Sequence, residues 1–359
     1  MKVLLVANYP GDGQRSMDRF CRMLERGLRE EGLEVEVIRP RVIIGRWNKW
    51  LGYVDKFVLF RGKLRRAVKE RSGWIVHILD QGNGVCAGWL PGSLVTCHDL
   101  LAIRAAHGEF PAHRPWLSGK VFQQRILCGL RKAKAIAAVS EATRKDVTRL
   151  IGPSDRIANG LEESWRPLEE AYARTLLEKA GIRKAGYLLH VGGTQWYKNR
   201  ALMVRTFIEL RNGTSHAPPL VIVGPPLDSA MKKRLKDACL TGAVTVLTGI
   251  SDGTLRALYS MAAALVVPSV AEGFGWPILE AQACGCPVAA TNTEPLRTTS
   301  GGAAIHVDDG CWTRALRELL AMDEAQRAAL VAAGIVNARR FTVQQMAREY
   351  IEFYGRHAL

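Results

Sequence analysis

Short apolar runs rich in β-branched residues alternate with helical stretches along this chain, and no other feature restricts its possible folds so strongly. Four such runs lie in the second half: YLLHVG (187–192), LVIVG (220–224), VTVLTG (244–249) and ALVVPS (264–269). Helical stretches separate them, at 200–211, 229–240 and 252–263. Strands that alternate with helices form βα units, whose strands run parallel. The second half is therefore predicted to contain a parallel sheet covered by helices.

The first half repeats this pattern. Its apolar runs are KVLLVA (2–7), EVEVIRP (34–40), IVHILD (75–80), LVTCHD (94–99) and AIAAVS (135–140). A helix is predicted at 16–32, where Phe20, Leu24 and Leu28 fall on one face, and another at 120–133. The hydroxyl of Ser140 suits the N-cap of a third helix. This arrangement predicts a second doubly wound α/β sheet.

A length of 359 residues suits two domains of ordinary size. A polar segment at 158–170 separates the two series of strands, and we place the boundary near Pro167. This gives an N-terminal domain at 1–167 and a C-terminal domain at 168–340. Residues 341–359 are predicted to form an amphipathic helix, with an apolar face made of Val343, Met346, Tyr350 and Phe353.

Basic residues outnumber acidic ones by 50 to 34, which gives a formal net charge of +16. Residues 39–71 contain eleven Lys or Arg and two acids, a local +9, together with several aromatic residues. Such a balance favours anionic partners. No nucleic-acid motif accompanies the basic segment, so nucleic acid is not expected as a partner. The segment 39–71 is either a solvated helix face or a surface that binds an anionic membrane.

The eight cysteines show no metal-ligand spacing, so we expect small buried thiols and no metal site. The N-terminus lacks the layout of a signal peptide, and no segment approaches about 20 uninterrupted apolar residues. These features predict a cytoplasmic protein, either free or peripheral on the inner face of the cytoplasmic membrane.

The stretch AEGFGWPILE (271–280) follows the apolar run 264–269 and contains two glutamates, Glu272 and Glu280. Ligands of parallel sheets bind at the carboxyl ends of strands, and Pro277 suits the first turn of a helix whose N–H groups attract anions or hydroxyls. From the residues alone, two alternatives remain for each glutamate. Glu280 is a ligand or an acid that stabilises the helix dipole, and Glu272 is a ligand or a solvated loop acid.

The longer run 244–291 resembles the donor-binding half of retaining glycosyltransferases of the GT-B fold, most closely those of family 4 (glycosyl transferases group 1). The features that carry the resemblance are the two glutamates around Gly-Phe-Gly, the preceding Pro-Ser and the following small-residue run AQACGCPVAA (281–290). The resemblance extends over nearly the whole chain. It includes VTCHDLLAIR (95–104), AAVSEATRKDV (137–147), NGLEESWRP (159–167) and LLHVGGTQWYKNRALMVRTF (188–207).

The resemblance implies a GT-B architecture, in which two Rossmann-like parallel-sheet domains face a central cleft. The N-terminal domain would bind the acceptor and the C-terminal domain the nucleotide-sugar donor. The last helix, 341–359, resembles the one that crosses back to brace the N-terminal domain.

The resemblance also implies residue roles. Glu280 would hold the ribose of the donor, and Glu272 would bind hydroxyls of the transferred sugar. Lys198 would neutralise the departing diphosphate, and His98 would face the donor sugar near the reacting carbon. Glu272, Lys198 and His98 are thus the candidate catalytic residues. The other candidate donor-binding residues are Gly11, Gly13, Gly192, Gly193, Asn199, Gly273, Phe274, Gly275, Trp276 and Leu279.

The family generally needs no metal, and the absence of an Asp-x-Asp pair in this sequence agrees with that expectation. No cofactor is expected beyond the donor substrate, a UDP- or GDP-linked sugar. One departure concerns the arginine that many members carry shortly after the first glycine of the Lys198 loop, which is missing here. A second cation for the diphosphate either comes from elsewhere, with Arg200 one candidate, or is absent.

The expected function is therefore a retaining, metal-independent hexosyltransferase. It would move a mannose- or glucose-type sugar to a saccharide or lipid-linked saccharide in cell-envelope polysaccharide or glycolipid synthesis. Two alternatives remain: a non-catalytic binding or assembly protein of the same fold, and another nucleotide-sugar enzyme of that fold.

Overall fold

The structure is a computed structural model that describes residues 1–213 and 217–357. The chain divides into two compact units. The first unit comprises Met1–Glu162 together with Phe341–Leu359, and the second comprises Glu163–Arg340. Each unit is built around one six-stranded sheet in which all paired strands run parallel.

The first unit contains the strands β1 to β6, arranged in the order β2-β1-β3-β4-β5-β6. Their bounds are Lys2–Val6, Glu34–Ile38, Ile75–Ile78, Leu94–Cys97, Ala135–Ala138 and Asp155–Arg156. The strand order reverses between β1 and β3, so the loops after these two strands diverge and leave a crevice at their carboxyl ends.

Helices cover the sheet of the first unit. The helices α1 to α7 are Arg15–Glu30, Gly52–Val54, Phe60–Glu70, Gly84–Ala87, Leu101–Ala106, Leu117–Leu130 and Glu141–Leu150. A single π-helical turn, Asp55–Leu59, joins α2 to α3. The sequence at Ser140 predicts a cap, and the Ser140 side chain indeed accepts a hydrogen bond from the Thr143 backbone N–H at 3.1 Å.

The second unit contains the strands β7 to β12, in the order β12-β11-β10-β7-β8-β9. Their bounds are Leu188–Val191, Leu220–Val223, Val244–Leu247, Ala264–Val267, Val288–Thr291 and Ile305–Val307. The helices α8 to α15 are Glu170–Lys179, Arg200–Asn212, Ser229–Asp237, Asp252–Met261, Trp276–Ala283, Leu296–Ser300, Trp312–Leu320 and Glu324–Ala338. Here the strand order reverses between β7 and β10, which places the second crevice at their carboxyl ends.

The C-terminal helix α16, Val343–His357, packs against the first unit. Its predicted apolar face is confirmed, since Val343, Met346, Tyr350 and Phe353 are all buried. Gly27 of α1 makes the close packing possible: a Cβ at this position would lie 2.8 Å from the Cβ of Ala347.

Two tyrosines of α16 also reach a buried polar network. His77 Nδ1 lies 2.7 Å from the Tyr354 hydroxyl, and Thr96 Oγ1 lies 2.7 Å from the Tyr350 hydroxyl. The helix is therefore held by hydrogen bonds as well as by apolar contacts.

The predicted α/β class and the nine predicted strands are confirmed. Three further strands, β6, β11 and β12, were not predicted. β11 consists of Val-Ala-Ala-Thr, and its alanines carry little strand propensity by themselves. In the part of the chain that the structure describes, no helix combines the length and apolar character needed to cross a membrane.

Candidate active site

The crevice of the second unit brings together two loops that are far apart in sequence. One follows β7 and contains Gly192 and Gly193, a 3₁₀ turn at Trp196–Lys198, and Asn199. The other follows β10 and leads to the start of α12. A backbone hydrogen bond of 2.8 Å from Val270 N–H to the Tyr197 carbonyl joins the two loops.

Lys198 and Glu272 meet at this point. Lys198 Nζ donates a hydrogen bond of 2.7 Å to Glu272 Oε1, in an ion pair that links the two loops. The Lys198 side chain is 16% exposed and that of Glu272 is 8% exposed. Shielding from water strengthens such a charge-assisted contact. Asn199, which adopts a left-handed backbone with φ of 50°, ends the turn that presents Lys198 and directly precedes α9.

The Gly-Phe-Gly segment leads directly into α12. Gly275 is the N-cap with φ of 101°, a conformation that side-chain-bearing residues rarely adopt. Pro277 occupies the first turn, as predicted. The Phe274 carbonyl accepts a hydrogen bond of 2.6 Å from Thr299 Oγ1, which fixes the loop before the helix. The backbone N–H groups at the start of α12 therefore have a well-defined position near Gly273.

Glu280 lies in the second turn of α12 and is 3% exposed. Its Oε2 accepts a hydrogen bond of 2.8 Å from the Tyr259 hydroxyl of α11. A buried carboxylate without hydrogen-bonding partners would be costly, so Tyr259 contributes to holding Glu280 in place. Tyr259 was not identified from the sequence.

Two other predicted donor residues lie inside the protein. Leu279 is fully buried, and Trp276 is 7% exposed with its ring centroid 6.1 Å from that of Phe274. Trp276 thus packs edge-on against Phe274 as part of the support of the loop.

Arg200, the candidate second cation, is 4% exposed at the start of α9. Its Nη2 donates a hydrogen bond of 2.8 Å to the Pro225 carbonyl, in the loop after β8. Among the described residues, no partner is found for its Nε and Nη1. Burial lowers the pKa of the guanidinium, although nearby Asp228 opposes this change. Arg200 therefore joins the loop after β8 to α9.

His98 lies in the first unit, directly after β4. The residue is 7% exposed, and its Nε2 lies 3.0 Å from the Leu79 carbonyl, which can only accept, so Nε2 carries a proton. Burial lowers the pKa of the imidazole, while the Asp80 carboxylate opposes this shift. The ring is therefore neutral near pH 7, and its backbone N–H donates to Gln81 Oε1 at 2.8 Å.

The glycines Gly11 and Gly13 lie in the loop after β1. Gly13 has φ of 63° and ends a 3₁₀ turn at Pro10–Asp12. A Cβ at Gly11 would overlap the Tyr9 ring, so only glycine leaves room there. Both glycines border the first crevice, and Gly11 lines a cavity of about 550 Å³ within it.

The structure thus brings Lys198, Asn199, Glu272 and the start of α12 together in the second unit, and places His98 and Gly11 at the crevice of the first. Three residues that orient the predicted site residues were not identified from the sequence: Tyr259, Thr299 and Gln81. Asp80 was not predicted either, although its place as the last residue of the predicted strand run 75–80 is a signal that could have identified it. All eight cysteines are free thiols. Among the described residues, no cluster of three or more His, Cys, Asp or Glu has an arrangement that would hold a metal ion.

Comparison with known proteins identifies this architecture. The family described as "Glycosyl transferases group 1" matches residues 174–334, a range that includes all the candidate residues of the second unit. A D-inositol 3-phosphate glycosyltransferase from Frankia alni is 33% identical over 286 residues, 74% of this chain and 68% of that protein. The O-antigen chain mannosyltransferase B of Escherichia coli is 27% identical over 275 residues, 74% of this chain and 70% of that protein.

The fold comparison agrees. Anabaena HepE, solved in complex with UDP and glucose, superimposes with a TM-score of 0.74 at 16% identity and covers 99% of both chains. Both six-stranded parallel sheets are thus those of the predicted GT-B fold. The extent of the match to the Frankia alni protein, together with the family match over the candidate site, shows that the chain is a glycosyltransferase and belongs to the glycosyl transferases group 1 family.

Proposed function

We propose that this protein is a retaining hexosyltransferase that takes a mannose- or glucose-type sugar from a UDP- or GDP-linked donor. The acceptor is a saccharide or a lipid-linked saccharide in cell-envelope polysaccharide or glycolipid synthesis. The observation that carries the proposal is the Lys198–Glu272 ion pair beside the start of α12. It places a cation, a carboxylate and helix-end N–H groups at one crevice. Support comes from the Escherichia coli relative, named as an O-antigen chain mannosyltransferase, and from HepE, solved with UDP and glucose.

Each group has a distinct task in this reaction. As the bond between the sugar carbon and the β-phosphate oxygen breaks, its electron pair and the new negative charge go to the diphosphate. Lys198 and the N–H groups at the start of α12 stabilise that charge. Glu272 accepts hydrogen bonds from hydroxyls of the sugar, and Glu280 does so from the ribose. The oxygen of the acceptor hydroxyl bonds to the sugar carbon on the face that the diphosphate leaves, and the hydroxyl proton passes to an oxygen of the departing diphosphate.

We also propose that this step needs no metal ion and no cofactor. Lys198 and the helix N–H groups provide positive charge from the chain itself, and the guanidinium of Arg200 adds a second positive charge at the start of α9. The sequence contains no Asp-x-Asp pair, the arrangement with which other transferases hold a divalent cation.

A third part of the proposal concerns location: the protein acts at the inner face of the cytoplasmic membrane. Within the basic segment 39–71, Trp47 is 69% and Trp50 is 73% exposed. The start of α6 adds Trp116, which is 90% exposed, and Leu117. The two segments adjoin, because the Tyr53 and Phe122 ring centroids are 5.2 Å apart. Exposed tryptophans among Lys and Arg suit the boundary of an anionic lipid surface.

The donor site is tested by thermal unfolding in the presence of UDP, GDP, ADP and dTDP. We expect one diphosphate to raise the Tm, since ligand at about 100 times its Kd adds about 2.7 kcal/mol. The shift should be lost in Glu280→Gln and kept in Glu318→Gln, a matched change at an exposed glutamate of α14. Lack of a response to all four diphosphates would favour a non-catalytic binding protein.

A further inference from the structure

The cavity of the first unit has the opposite charge to the protein as a whole. It is bounded by the loops after β1, β3 and β4 and by α6, and has a volume of about 550 Å³. Three carboxylates line it: Asp12, Asp80 and Asp99. Lys56 is the one cation among the described lining residues. The lining therefore carries a formal charge of −2, in a chain whose net charge is +16.

The single cation is already engaged. Lys56 Nζ lies 2.6 Å from Asp12 Oδ2, and its side chain is 14% exposed. It also lies 5.6 Å from the centroid of the Tyr53 ring, within the range of a cation–π contact. An entering anion would have to compete with Asp12 for this lysine.

The carboxylates are held in position by the fold. Asp80 is 4% exposed, accepts a hydrogen bond of 2.6 Å from Asn8 Nδ2, and also accepts from the Gly82 N–H. Asp99 Oδ1 accepts from the Leu101 N–H at 3.0 Å. Both carboxylates therefore have fixed positions in the cavity, because these partners orient their side chains.

The apolar part of the lining is aromatic. Tyr53 and Phe122 meet edge to face, with an interplanar angle of 88°. Carboxylates accept hydrogen bonds from ring hydroxyls, and aromatic faces pack against the C–H face of a sugar ring. A phosphate in the same place would be repelled by the buried carboxylate of Asp80, which accepts its hydrogen bonds from the uncharged Asn8 amide and the Gly82 N–H.

We propose that the acceptor group bound in this cavity is a hydroxylated ring that carries no phosphate, that is, an uncharged sugar. This inference rests on the proposed function, and it specifies the acceptor class. It also separates this protein from its Frankia alni relative, which is named for inositol 3-phosphate.

The test measures binding of D-mannose and D-mannose 6-phosphate, and of D-glucose and D-glucose 6-phosphate, to the full-length protein by saturation-transfer NMR. The nucleoside diphosphate that gives the largest Tm shift is present at saturation. We expect at least one of the hexoses to bind at least tenfold more tightly than its 6-phosphate. Asp12→Asn removes the carboxylate that pairs with Lys56 and so leaves this lysine available to a phosphate. The ratio of the Kd of the 6-phosphate to the Kd of the hexose should therefore fall at least threefold. Asp18→Asn, a matched change at an α1 residue paired with Arg39, should leave the ratio unchanged.

Equal or tighter binding of the 6-phosphates would overturn the proposal, as would failure of both hexoses to bind. A ratio unaffected by Asp12→Asn would also contradict it. The Tm shift caused by the diphosphate is read in the same samples and depends on the second unit. If the diphosphate raises the Tm but the hexose results contradict the proposal, only the proposed acceptor class is rejected. If no diphosphate raises the Tm, the proposed function itself is rejected.

Discussion

At the scale of single residues, the Lys198–Glu272 pair is the feature from which the chemistry follows. Each of these residues would be ambiguous alone, since a loop lysine and a loop glutamate are usually solvated. Their contact at 2.7 Å, with both side chains largely shielded from water, gives the crevice both a cation for the leaving group and an acceptor for hydroxyls.

Replacing Lys198 tests this interpretation. Lys198→Met should lower kcat about 100-fold, since loss of one stabilising donor of a developing anion typically costs 100- to 1,000-fold. It should also lower the free energy of unfolding by about 1–3 kcal/mol, because Glu272 loses its partner. Steady-state kinetics and urea unfolding measure the two effects.

A double variant separates the effect of Lys198 on stability from its effect on catalysis. The double variant Lys198→Met/Glu272→Gln should regain stability but not activity, since it removes the unpaired charge without restoring the cation. Lys233→Met, at an exposed lysine of α10, should change neither quantity. Full activity of Lys198→Met would refute the role of this lysine.

The sequence predicted which residues would line the site but not how they are held. Glu272, Glu280 and Lys198 were identified through motifs that lie within short stretches of chain. The contacts that orient them join residues far apart, such as Lys198 with Glu272 across 74 positions and Tyr259 with Glu280 across 21. Such contacts depend on the order of strands in the sheet, which local periodicity does not encode.

At the scale of elements, α16 and the sheet of the first unit share a buried network around His77. His77 Nδ1 pairs with Tyr354, and its Nε2 lies 2.8 Å from Thr96 Oγ1 of β4. Burial, with a smaller contribution from nearby His98, lowers the pKa of His77 to about 3. The folded protein therefore keeps this imidazole neutral at pH values where the unfolded chain protonates it.

The consequence is a loss of stability in acid. Between pH 6.5 and the folded pKa of about 3, the unfolded state binds the additional proton, so stability falls as the pH falls. From pH 6.5 to 5 the loss from His77 should be about 1.6 kcal/mol, because the slope is half-maximal at pH 6.5 and approaches about 1.36 kcal/mol per pH unit below it. His77→Gln should reduce this dependence in urea titrations at several pH values, whereas the exposed-site change His107→Gln should not. An unchanged slope in His77→Gln would contradict the assignment.

The elements themselves were predicted unevenly. Eight of the nine predicted strands contain two or more Val, Ile or Leu residues, and the ninth, β5, is Ala-Ile-Ala-Ala and was recognised within the longer apolar run 135–140. In contrast, β11 and β12 are strands because of their neighbours: β11 pairs with β10 from Leu265↔Val288 to Val267↔Ala290. The buried sheet supplies what the alanines of β11 lack in propensity.

At the scale of the whole molecule, the net charge of +16 has a local origin in the segment 39–71, with a local +9. The exposed side chains of Trp50 and Trp116 add an apolar surface to this basic region. Attraction to acidic lipid is about 1 kcal/mol for each basic residue near the surface and is weakened by salt.

Vesicle flotation checks the proposed membrane surface. We expect recovery with anionic vesicles to exceed recovery with neutral ones, and to fall several-fold in Trp50→Ser/Trp116→Ser. Arg65→Ser/Arg66→Ser should reduce recovery as well. Tyr172→Ser, at an exposed aromatic of α8, is the control and should float like the wild type. Equal recovery with both kinds of vesicle would show that 39–71 is only a solvated surface.

The central claim, that the second unit binds a sugar nucleotide and transfers its hexose, is tested most directly by following transfer of labelled hexose in EDTA. The donor is the sugar derivative of the stabilising diphosphate, offered together with a panel of saccharide acceptors. The account predicts diphosphate release and a labelled saccharide product without added metal. Both should fall at least 100-fold in Glu272→Gln, with little change in the Tm shift given by the diphosphate. Equal product formation by the wild type and Glu272→Gln, or no release of diphosphate from any UDP- or GDP-linked hexose, would contradict the account.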